Sequence, residues 1–176
     1  PYGLWFPVDV STSSRATIGG MAGNNSCGGR SIRYGMMRDN VLEIEAILSD
    51  GSIYNFGKLD PSNTLRSKEL APKIISNLIK LANENEKEIL SKFPKVLRRV
   101  GGYNIDALLS DAMATRPNGK IGDGINLSHL LVGSEGTLAY SSSIKLKLSP
   151  LPSKKIMGIC HFPSFYEAMD AAQHIV

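Results

Sequence analysis

"IGGMAGNNSCGGRSIRYG" occupies residues 18–35, and it holds six glycines and two adjacent asparagines. Glycine has no Cβ atom, so a ligand can approach its main chain closely, and it adopts positive φ angles freely. Backbone N–H groups gathered in such a loop form a concavity that binds anions. The stretch therefore predicts an anion-binding loop, for example one that cradles a pyrophosphate. A glycine-rich loop that only connects two strands is the alternative.

Two common nucleotide-binding motifs do not fit this sequence. The G-x-G-x-x-G fingerprint would require a glycine at Ile18, and Gly119-Lys120 is followed by Ile121, where a P-loop has Ser or Thr. A nucleotide would therefore bind here by another scheme. A second glycine-rich turn, VGSEGTL at residues 132–138, has the same character and lies just before a predicted strand.

The composition is that of an ordinary globular protein. Of 176 residues, 42% are hydrophobic and 20% are charged, and the net charge is +4. The basic residues are scattered, which does not favour a nucleic-acid partner, and no apolar run approaches the roughly 20 residues of a transmembrane helix. Cys27 and Cys160 match no metal or redox spacing, so we expect free thiols in a reducing compartment. The predicted location is cytoplasmic, with peripheral association of the full-length protein at the inner membrane as the alternative.

The order of predicted elements is that of an α+β fold. Hydrophobic alternation predicts a strand over residues 41–48, and Asp50-Gly51 predicts a hairpin that returns as a strand over residues 52–56. The apolar face of the first strand comprises Leu42, Ile44, Ala46 and Leu48.

A long helix is predicted over residues 68–93, with Ser67 as its N-cap and Pro72 in its first turn. It dominates a helical insert over about 66–100. Residues 110–126 are predicted to form a loop, because prolines and glycines interrupt any periodicity. The apolar stripe of the helix comprises Leu70, Ile74, Leu78 and Leu81.

The last part of the chain is predicted to begin a second domain. Strands are predicted over residues 139–148 and 155–162, separated by a proline-marked joint at 150–153, and Ser164 is predicted to cap a terminal helix. That helix has no stop signal before Val176, so we expect a piece of a longer protein. The predicted domains are 1–152 and 153–176.

Motifs in a fixed order extend this interpretation to a family. The segments PVDVSTSSRATIGGMAGNNSCGGRSIRYGMMRDNVLEIEAILSDG at residues 7–51 and LLVGSEGTLA at residues 130–139 closely resemble the FAD-linked 2-hydroxy acid dehydrogenases. These flavoproteins belong to the vanillyl-alcohol-oxidase-like superfamily and include D-lactate, glycolate-oxidase-type and D-2-hydroxyglutarate dehydrogenases. Gly101, Tyr103 and Asn104 also match, especially the bacterial branch whose members carry an iron–sulfur region further along.

The resemblance implies a fold and a cofactor. Residues 1–152 would be the C-terminal part, or second subdomain, of a PCMH-type FAD-binding domain, which is an antiparallel or mixed sheet flanked by helices. Residues 153–176 would supply the first strand and helix of the substrate or cap domain. No catalytic or metal-binding residue is carried over, because those of the family lie downstream. The residues carried over as contacts of non-covalently bound FAD are Pro7, Thr17, Ile18, Gly19, Gly20, Asn24, Asn25, Gly28, Tyr34 and Gly35, with Glu135 and Gly136 near the adenosine end.

Two positions depart from the family's pattern. Met21 stands where many members have Asn, and Cys27 replaces the first Gly of the family's Asn-Ala-Gly-Gly. A Cys27 side chain would crowd a close approach of the backbone to the cofactor unless the thiol points away. We expect Cys27 to be a buried or half-buried thiol without a redox role, because no base or second thiol is placed near it.

Other residues with functional chemistry have plainer interpretations. Arg38 and Asp39 form either an ion pair that fixes the loop after the glycine-rich stretch or an exposed pair of little energetic value. Arg98 and Arg99 are expected to be a solvated surface pair. Three histidines match no metal-binding spacing, and the first is expected at the edge of the core: His129, His161 and His174.

The expected activity belongs to the full-length protein. The resemblance implies oxidation of a small D-2-hydroxy acid, of the lactate, glycolate or 2-hydroxyglutarate type, by hydride transfer to FAD, with a downstream electron acceptor. An iron–sulfur cluster beyond residue 176 stays open. The isolated 176 residues are expected to be inactive, since the family's other phosphate loop lies upstream and its catalytic residues lie downstream. The alternative is a non-catalytic module that binds an anion or a nucleotide with glycine-rich structural loops.

Overall fold

The structure, a computed structural model, describes residues 2–59, 70–96, 98–109 and 124–175. Helices and small antiparallel sheets make up these residues, which confirms the α+β fold class. The strands are β1 Leu4–Trp5, β2 Val41–Ile47, β3 Ile53–Phe56, β4 Tyr140–Leu146 and β5 Ser149–Pro150. The helices are α1 Ile18–Gly23, α2 Ser31–Tyr34, α3 Met37–Asn40, α4 Leu70–Glu84, α5 Glu86–Lys92, the 3₁₀ helix η1 Ile105–Leu108, α6 Ser128–Leu131 and α7 Phe165–Ile175. The predicted cap at Ser67 and most of the predicted loop 110–126 lie outside the described residues.

The chain divides into two compact units, one formed by Phe6–Leu148 and one by the flanking segments up to Trp5 and from Ser149. In the smaller unit, β1 and β5 pair antiparallel, with Leu4 opposite Pro150 and Trp5 opposite Ser149. The indole Nε1 of Trp5 donates a hydrogen bond to the carbonyl oxygen of Pro150 over 3.1 Å. This bond ties the two flanking segments to each other.

The smaller unit also contains the terminal helix. Ser164 caps α7 as predicted, because its Oγ accepts a hydrogen bond from the Glu167 N–H over 3.3 Å. The strand predicted over residues 155–162 is wrong: these residues are all described and form no ladder. Alternation cannot make a strand where no neighbouring strand takes up the hydrogen bonds, and Ile156 is 96% exposed. The assignment of residues 153–176 to a substrate domain stays a prediction.

In the larger unit, β3, β2 and β4 form an antiparallel sheet with β2 in the centre. The β2–β3 hairpin turns at Asp50-Gly51 as predicted, and Gly51 has a φ of 80°. The carboxylate Oδ1 of Asp50 accepts hydrogen bonds from the Ser52 hydroxyl over 2.6 Å and from the Ser52 N–H over 2.9 Å. These two bonds hold the pKa of Asp50 below its usual value, and the bond from the hydroxyl makes the larger contribution.

Two β-bulges interrupt the pairing of β2 with β4. The first adds Leu42 to β2, and the second adds Ser142 to β4. Leu42 is consequently 43% exposed, whereas Val41 is 2% exposed and packs in the core. The predicted placement of Leu42 on the buried face is therefore wrong, while Ile44 is buried as predicted. Alternation in the sequence does not reveal a bulge, since a bulge inserts one residue that the pattern counts as paired.

The predicted long helix is divided into α4 and α5, and α4 buries a different face from the predicted one. Ile75 and Ala82 are fully buried, whereas Ile74 and Leu81 are 41% and 46% exposed. Apolar residues lie on two faces of this helix, so the periodicity of the sequence does not show which face is buried. The packing of α4 against η1 makes the selection.

One hydrophobic core lies in the larger unit and joins the sheet to the helices around it. Core residues from each layer are Met21 and Ala22 of α1, Ile44 of β2, Ile75 of α4, Leu108 of η1 and Leu130 of α6.

Within the part of the chain that the structure describes, no helix combines the length and the apolar character that a bilayer crossing requires.

Candidate functional site

The first third of the glycine-rich stretch forms a helix, so the loop predicted there is wrong. Thr17 is the N-cap of α1, and its Oγ1 accepts a hydrogen bond from the Gly20 N–H over 3.1 Å. Met21 and Ala22 are only 6% and 3% exposed. Packing of this face offsets the low helix propensity of the glycines, because tertiary contacts stabilise short helices more than propensity does.

The fold leaves open space for a side chain at Gly19 and only a tight fit for one at Gly20. A Cβ at Gly19 would meet no described atom within 4 Å, and one at Gly20 would meet only Thr17 Oγ1 at 3.1 Å. Neither glycine has a positive φ, so alanine at Gly19 would favour the helix by up to about 1 kcal/mol. Both residues are exposed. Bare, accessible main chain therefore lies where the resemblance implied a cofactor contact, and it fits a ligand such as FAD.

The chain that follows α1 is fixed by packing against the protein itself. Asn25 is fully buried and has a φ of 49°. Its Oδ1 accepts a hydrogen bond from the Arg38 N–H over 3.0 Å, and its Nδ2 donates to the Arg99 carbonyl oxygen over 3.3 Å. Gly28 is half-buried, and a Cβ there would overlap the carbonyl oxygen of Asp9. These residues therefore have structural reasons for their identity.

The second glycine-rich turn lies directly against the C-terminal end of α1. The Gly133 N–H donates to the Ala22 carbonyl oxygen, and the Glu135 N–H donates to the Gly23 carbonyl oxygen, each over 2.9 Å. Gly133, Glu135 and Gly136 have φ values of 86°, 53° and 73°. The structure thus brings into contact the two motifs from which the resemblance was drawn. We call this contact the α1–turn junction.

The predicted cofactor residues differ in accessibility. The exposed ones all belong to α1, its caps or the turn, so they gather at the α1–turn junction: Thr17, Ile18, Gly19, Gly20, Asn24, Glu135 and Gly136. Gly28 and Tyr34 are half-buried. Pro7, Asn25 and Gly35 are buried.

A buried polar network that the sequence did not predict adjoins the junction. Asn104 is 2% exposed, and its Oδ1 accepts hydrogen bonds from Arg38 Nη1 over 3.0 Å and from Arg99 Nη2 over 3.2 Å. Its Nδ2 donates to the carbonyl oxygens of His129 over 3.1 Å and Val132 over 2.8 Å. Asn104 therefore bonds the residue that precedes the turn. The only sequence signal was the resemblance at Gly101–Asn104, which implied no role.

The arginines of this network are not surface residues. Arg38 is 7% exposed, and its Nε and Nη1 lie 3.9 Å from carboxylate oxygens of Asp39 and Asp106. Burial lowers the pKa of Arg38, while Asp39 and then Asp106 oppose that shift. The alternative of an exposed Arg38–Asp39 pair is thereby excluded. The expectation of a solvated Arg99 is also wrong, since Arg99 pairs with Asp106 and lies 4.6 Å from the ring centroid of Phe93.

The remaining chemistry-bearing residues form no site of their own. Cys27 is a half-buried free thiol, as expected, and Cys160 is an exposed one. His129 is 4% exposed and so lies inside the core rather than at its edge. Over the described ranges, no three His, Cys, Asp or Glu side chains are grouped to hold a metal ion.

Comparison with known proteins agrees with this geometry. Residues 1–57, which include α1, match a family described as an FAD binding domain. The chain is 34% identical to the D-2-hydroxyglutarate dehydrogenase of Pantoea ananatis, across 98% of this chain and 16% of that protein. It is 30% identical to the enzyme of that name from Escherichia coli, across 100% of this chain and 17% of that protein. A probable mitochondrial D-lactate dehydrogenase of Danio rerio is 29% identical, across 99% of this chain and 24% of that protein.

The chain thus spans between about a sixth and a quarter of the length of these relatives. The similarity extends over both glycine-rich motifs and over the insert between them. It confirms the resemblance that the motifs indicated: the chain is a relative, over nearly all of its residues, of the FAD-linked 2-hydroxy acid dehydrogenases.

Proposed function

We propose that the α1–turn junction forms one wall of an FAD site in a dehydrogenase that oxidises a D-2-hydroxy acid. The observation that carries the proposal is the exposed Gly19, which is bare without a packing reason, beside the equally exposed Gly20. The match of residues 1–57 to an FAD binding domain supports FAD as the ligand. The names of the relatives support a substrate of the 2-hydroxyglutarate, lactate or glycolate type.

The residues that would hold FAD are the exposed ones at the junction. The main chain of Gly19 and Gly20 would contact the cofactor where a side chain would keep it away. The exposed residues Glu135 and Gly136 of the turn would lie near the adenosine end. No covalent attachment is proposed, so the affinity depends on the shape of this surface.

FAD supplies the chemistry of the reaction by accepting a hydride from C2 of the hydroxy acid. The residues of this chain bind and orient the cofactor, and they shield part of it from water. No general base is assigned to them, because the catalytic groups would come from the remaining length of the full-length protein. Electrons would then pass to a downstream acceptor. We propose a cytoplasmic location for the full-length protein.

The direct test uses the full-length protein that contains this chain. We expect a yellow protein with the absorption bands of bound flavin, which anaerobic addition of D-2-hydroxyglutarate or D-lactate bleaches. The L-isomer of the same acid is the matched control and should leave the spectrum unchanged. A colourless protein that takes up no added FAD would contradict the proposal, and pyrophosphate binding by that protein would favour the anion-binding alternative.

A further inference from the structure

We infer that Asn104 is a positioning residue of the proposed FAD site: it holds the turn at Gly133–Gly136 against α1 and so sets the shape of the surface that receives the cofactor. Asn104 itself is buried and does not reach that surface. The inference rests on the proposed function and adds to it a residue that no cofactor motif identifies.

The hydrogen bonds of Asn104 permit only one orientation of its amide. Two guanidinium groups, from Arg38 and Arg99, donate to its Oδ1. Two main-chain carbonyl oxygens, of His129 and Val132, accept from its Nδ2. A rotated amide would place an NH₂ group against two cations and an oxygen against two carbonyl oxygens. The arginines therefore fix the amide, and the amide fixes the main chain at Val132.

The position of the turn follows from this bond and from the lack of space around Gly133. A Cβ at Gly133 would lie 3.3 Å from the Cβ of Asn25 and 3.6 Å from Nδ2 of Asn104. Asn25 in turn accepts from the Arg38 N–H, and donates to the Arg99 carbonyl oxygen. Asn25 is thus bonded to the main chain of both arginines, and Val132 is linked to their side chains through Asn104.

The charged contacts around Asn104 indicate that the network positions the turn more than it stabilises the fold. Arg38 and Arg99 face Asp39 and Asp106, so the positive and negative charges are equal in number. The contacts of Arg38 with both carboxylates are nevertheless long, at 3.9 Å, and its buried Nε has no hydrogen-bond partner among the described residues. An unsatisfied buried donor opposes folding. The best-formed bonds of Arg38 are those to Asn104 and Asn25.

The test is Asn104→Asp in the full-length protein. The aspartate keeps an acceptor for Arg38 and Arg99, but it places an oxygen against the carbonyl oxygens of His129 and Val132. We expect the turn to move away, so the dissociation constant of FAD, measured by flavin fluorescence, should rise at least about tenfold. Before FAD is added, hydrogen exchange at the Gly133 and Glu135 amides should accelerate, because these amides donate to α1.

A control separates positioning from loss of stability. Ile89→Ala removes buried apolar contacts from α5 and has no polar atom in the network. It should lower the melting temperature of the FAD-free protein while it leaves the FAD dissociation constant within about threefold of the wild type and the two amides protected. If Asn104→Asp does not fold, Arg99→Lys, which removes one donor to Asn104 Oδ1, should raise the dissociation constant by about fivefold or more, above the threefold range of the Ile89→Ala control.

The outcomes separate the two proposals. Wild-type protein that binds no FAD overturns both. Wild-type protein that binds FAD, together with Asn104→Asp and Arg99→Lys variants of unchanged affinity and unchanged exchange at Gly133 and Glu135, overturns the inference about Asn104 alone. An equal loss of affinity in the Ile89→Ala variant also overturns it, because a general loss of stability would then explain the result.

Discussion

Four of the six glycines of residues 18–35 fall into two groups that look alike in the sequence and differ in the structure. Gly28 and Gly35 have protein atoms where a Cβ would be: the Asp9 carbonyl oxygen at Gly28 and the Asp39 side chain, 2.7 Å away, at Gly35. Gly19 and Gly20 are exposed, with open space or one hydroxyl oxygen beside them. The first group is explained by the fold, whereas the fold gives no reason for Gly19 and only one tight contact at Gly20.

This difference shows how a glycine-rich motif can be divided into structural and ligand-binding parts. Where the fold requires a glycine, its replacement lowers the stability of the protein, whether or not the cofactor is present. Where only the cofactor requires a glycine, its replacement raises the stability of the FAD-free protein and lowers the affinity for FAD. Measurements of both quantities on the same variants can therefore contradict the assignment of each residue.

Gly28→Ala should have the largest effect, because its methyl group would overlap the main chain of Asp9 and the backbone has to move. We expect a loss of about 3 kcal/mol or more in the free energy of unfolding of the FAD-free, full-length protein, measured by denaturant titration. Gly29→Ala is the matched control, since its Cβ would meet only Asp9 Oδ2 at 3.8 Å. Equal losses in the two variants would remove the distinction.

Gly35→Ala should be the next largest, because two costs combine. Gly35 has a φ of 80° and a ψ of −177°, a region that is nearly closed to residues with a side chain and costs about 1–3 kcal/mol. The methyl group would also press on Asp39, whose Oδ2 accepts from the Met36 N–H over 2.8 Å at the start of α3. Gly51→Ala is the control for a positive φ without steric contact, since Gly51 also has a φ of 80° and no atom within 4 Å. A smaller loss at Gly35 than at Gly51 would contradict this account.

Gly19→Ala should have a smaller effect of the opposite sign on stability. We expect α1 to gain up to about 1 kcal/mol in the FAD-free protein, while FAD affinity falls several-fold because the methyl group occupies the cofactor's side of the main chain. Asn77→Ala, at an exposed position inside α4, is the control for helix propensity and should leave FAD affinity unchanged. Unchanged affinity in the Gly19→Ala variant would mean that the open glycine serves no cofactor.

The smallest expected effect concerns the hairpin turn beside Gly51, where Asp50 accepts hydrogen bonds from Ser52. The Ser52 bonds lower the pKa of Asp50 in the folded state, so their contribution is present above the ordinary pKa of about 4 and is lost as the pH falls through the lower folded value. Hydrogen exchange of the Ser52 amide should be faster in Asp50→Asn than in the wild type at pH 6. The protection factors should converge as the pH falls below the folded-state pKa of Asp50, and a difference that persists once the carboxylate is protonated would rule out its charge as the cause.

The sequence predicted most of the elements whose signals are local. The Asp50-Gly51 hairpin, the capping by Ser164 and the tight turn at residues 133–137 all formed as expected. Predictions failed where tertiary contacts decide the outcome. The residues of α1 become helical because Met21 and Ala22 pack in the core, and the buried face of α4 is selected by its neighbour η1.

The candidate site was predictable only in part, for the same reason. The resemblance indicated both glycine motifs, but which of their residues are accessible depends on the fold. Asn25 was predicted to contact the cofactor, and the structure shows it fully buried with hydrogen bonds to the main chain of Arg38 and Arg99. No pattern in the sequence links Arg38 with Asn104, because a hydrogen bond between distant residues leaves no periodicity to detect.

The α1–turn junction also has a consequence for the order in which the protein is made. Its bonds join Ala22 to Gly133 and Gly23 to Glu135, so about 110 residues separate the partners. At the roughly 5–20 residues per second of translation, α1 leaves the ribosome about 5–20 s before the turn that holds it exists. During that interval Met21 and Ala22 have no complete core to pack against. Residues 18–23 of the nascent chain are therefore exposed and not yet held as a helix, and chaperones can reach this segment until the turn is made.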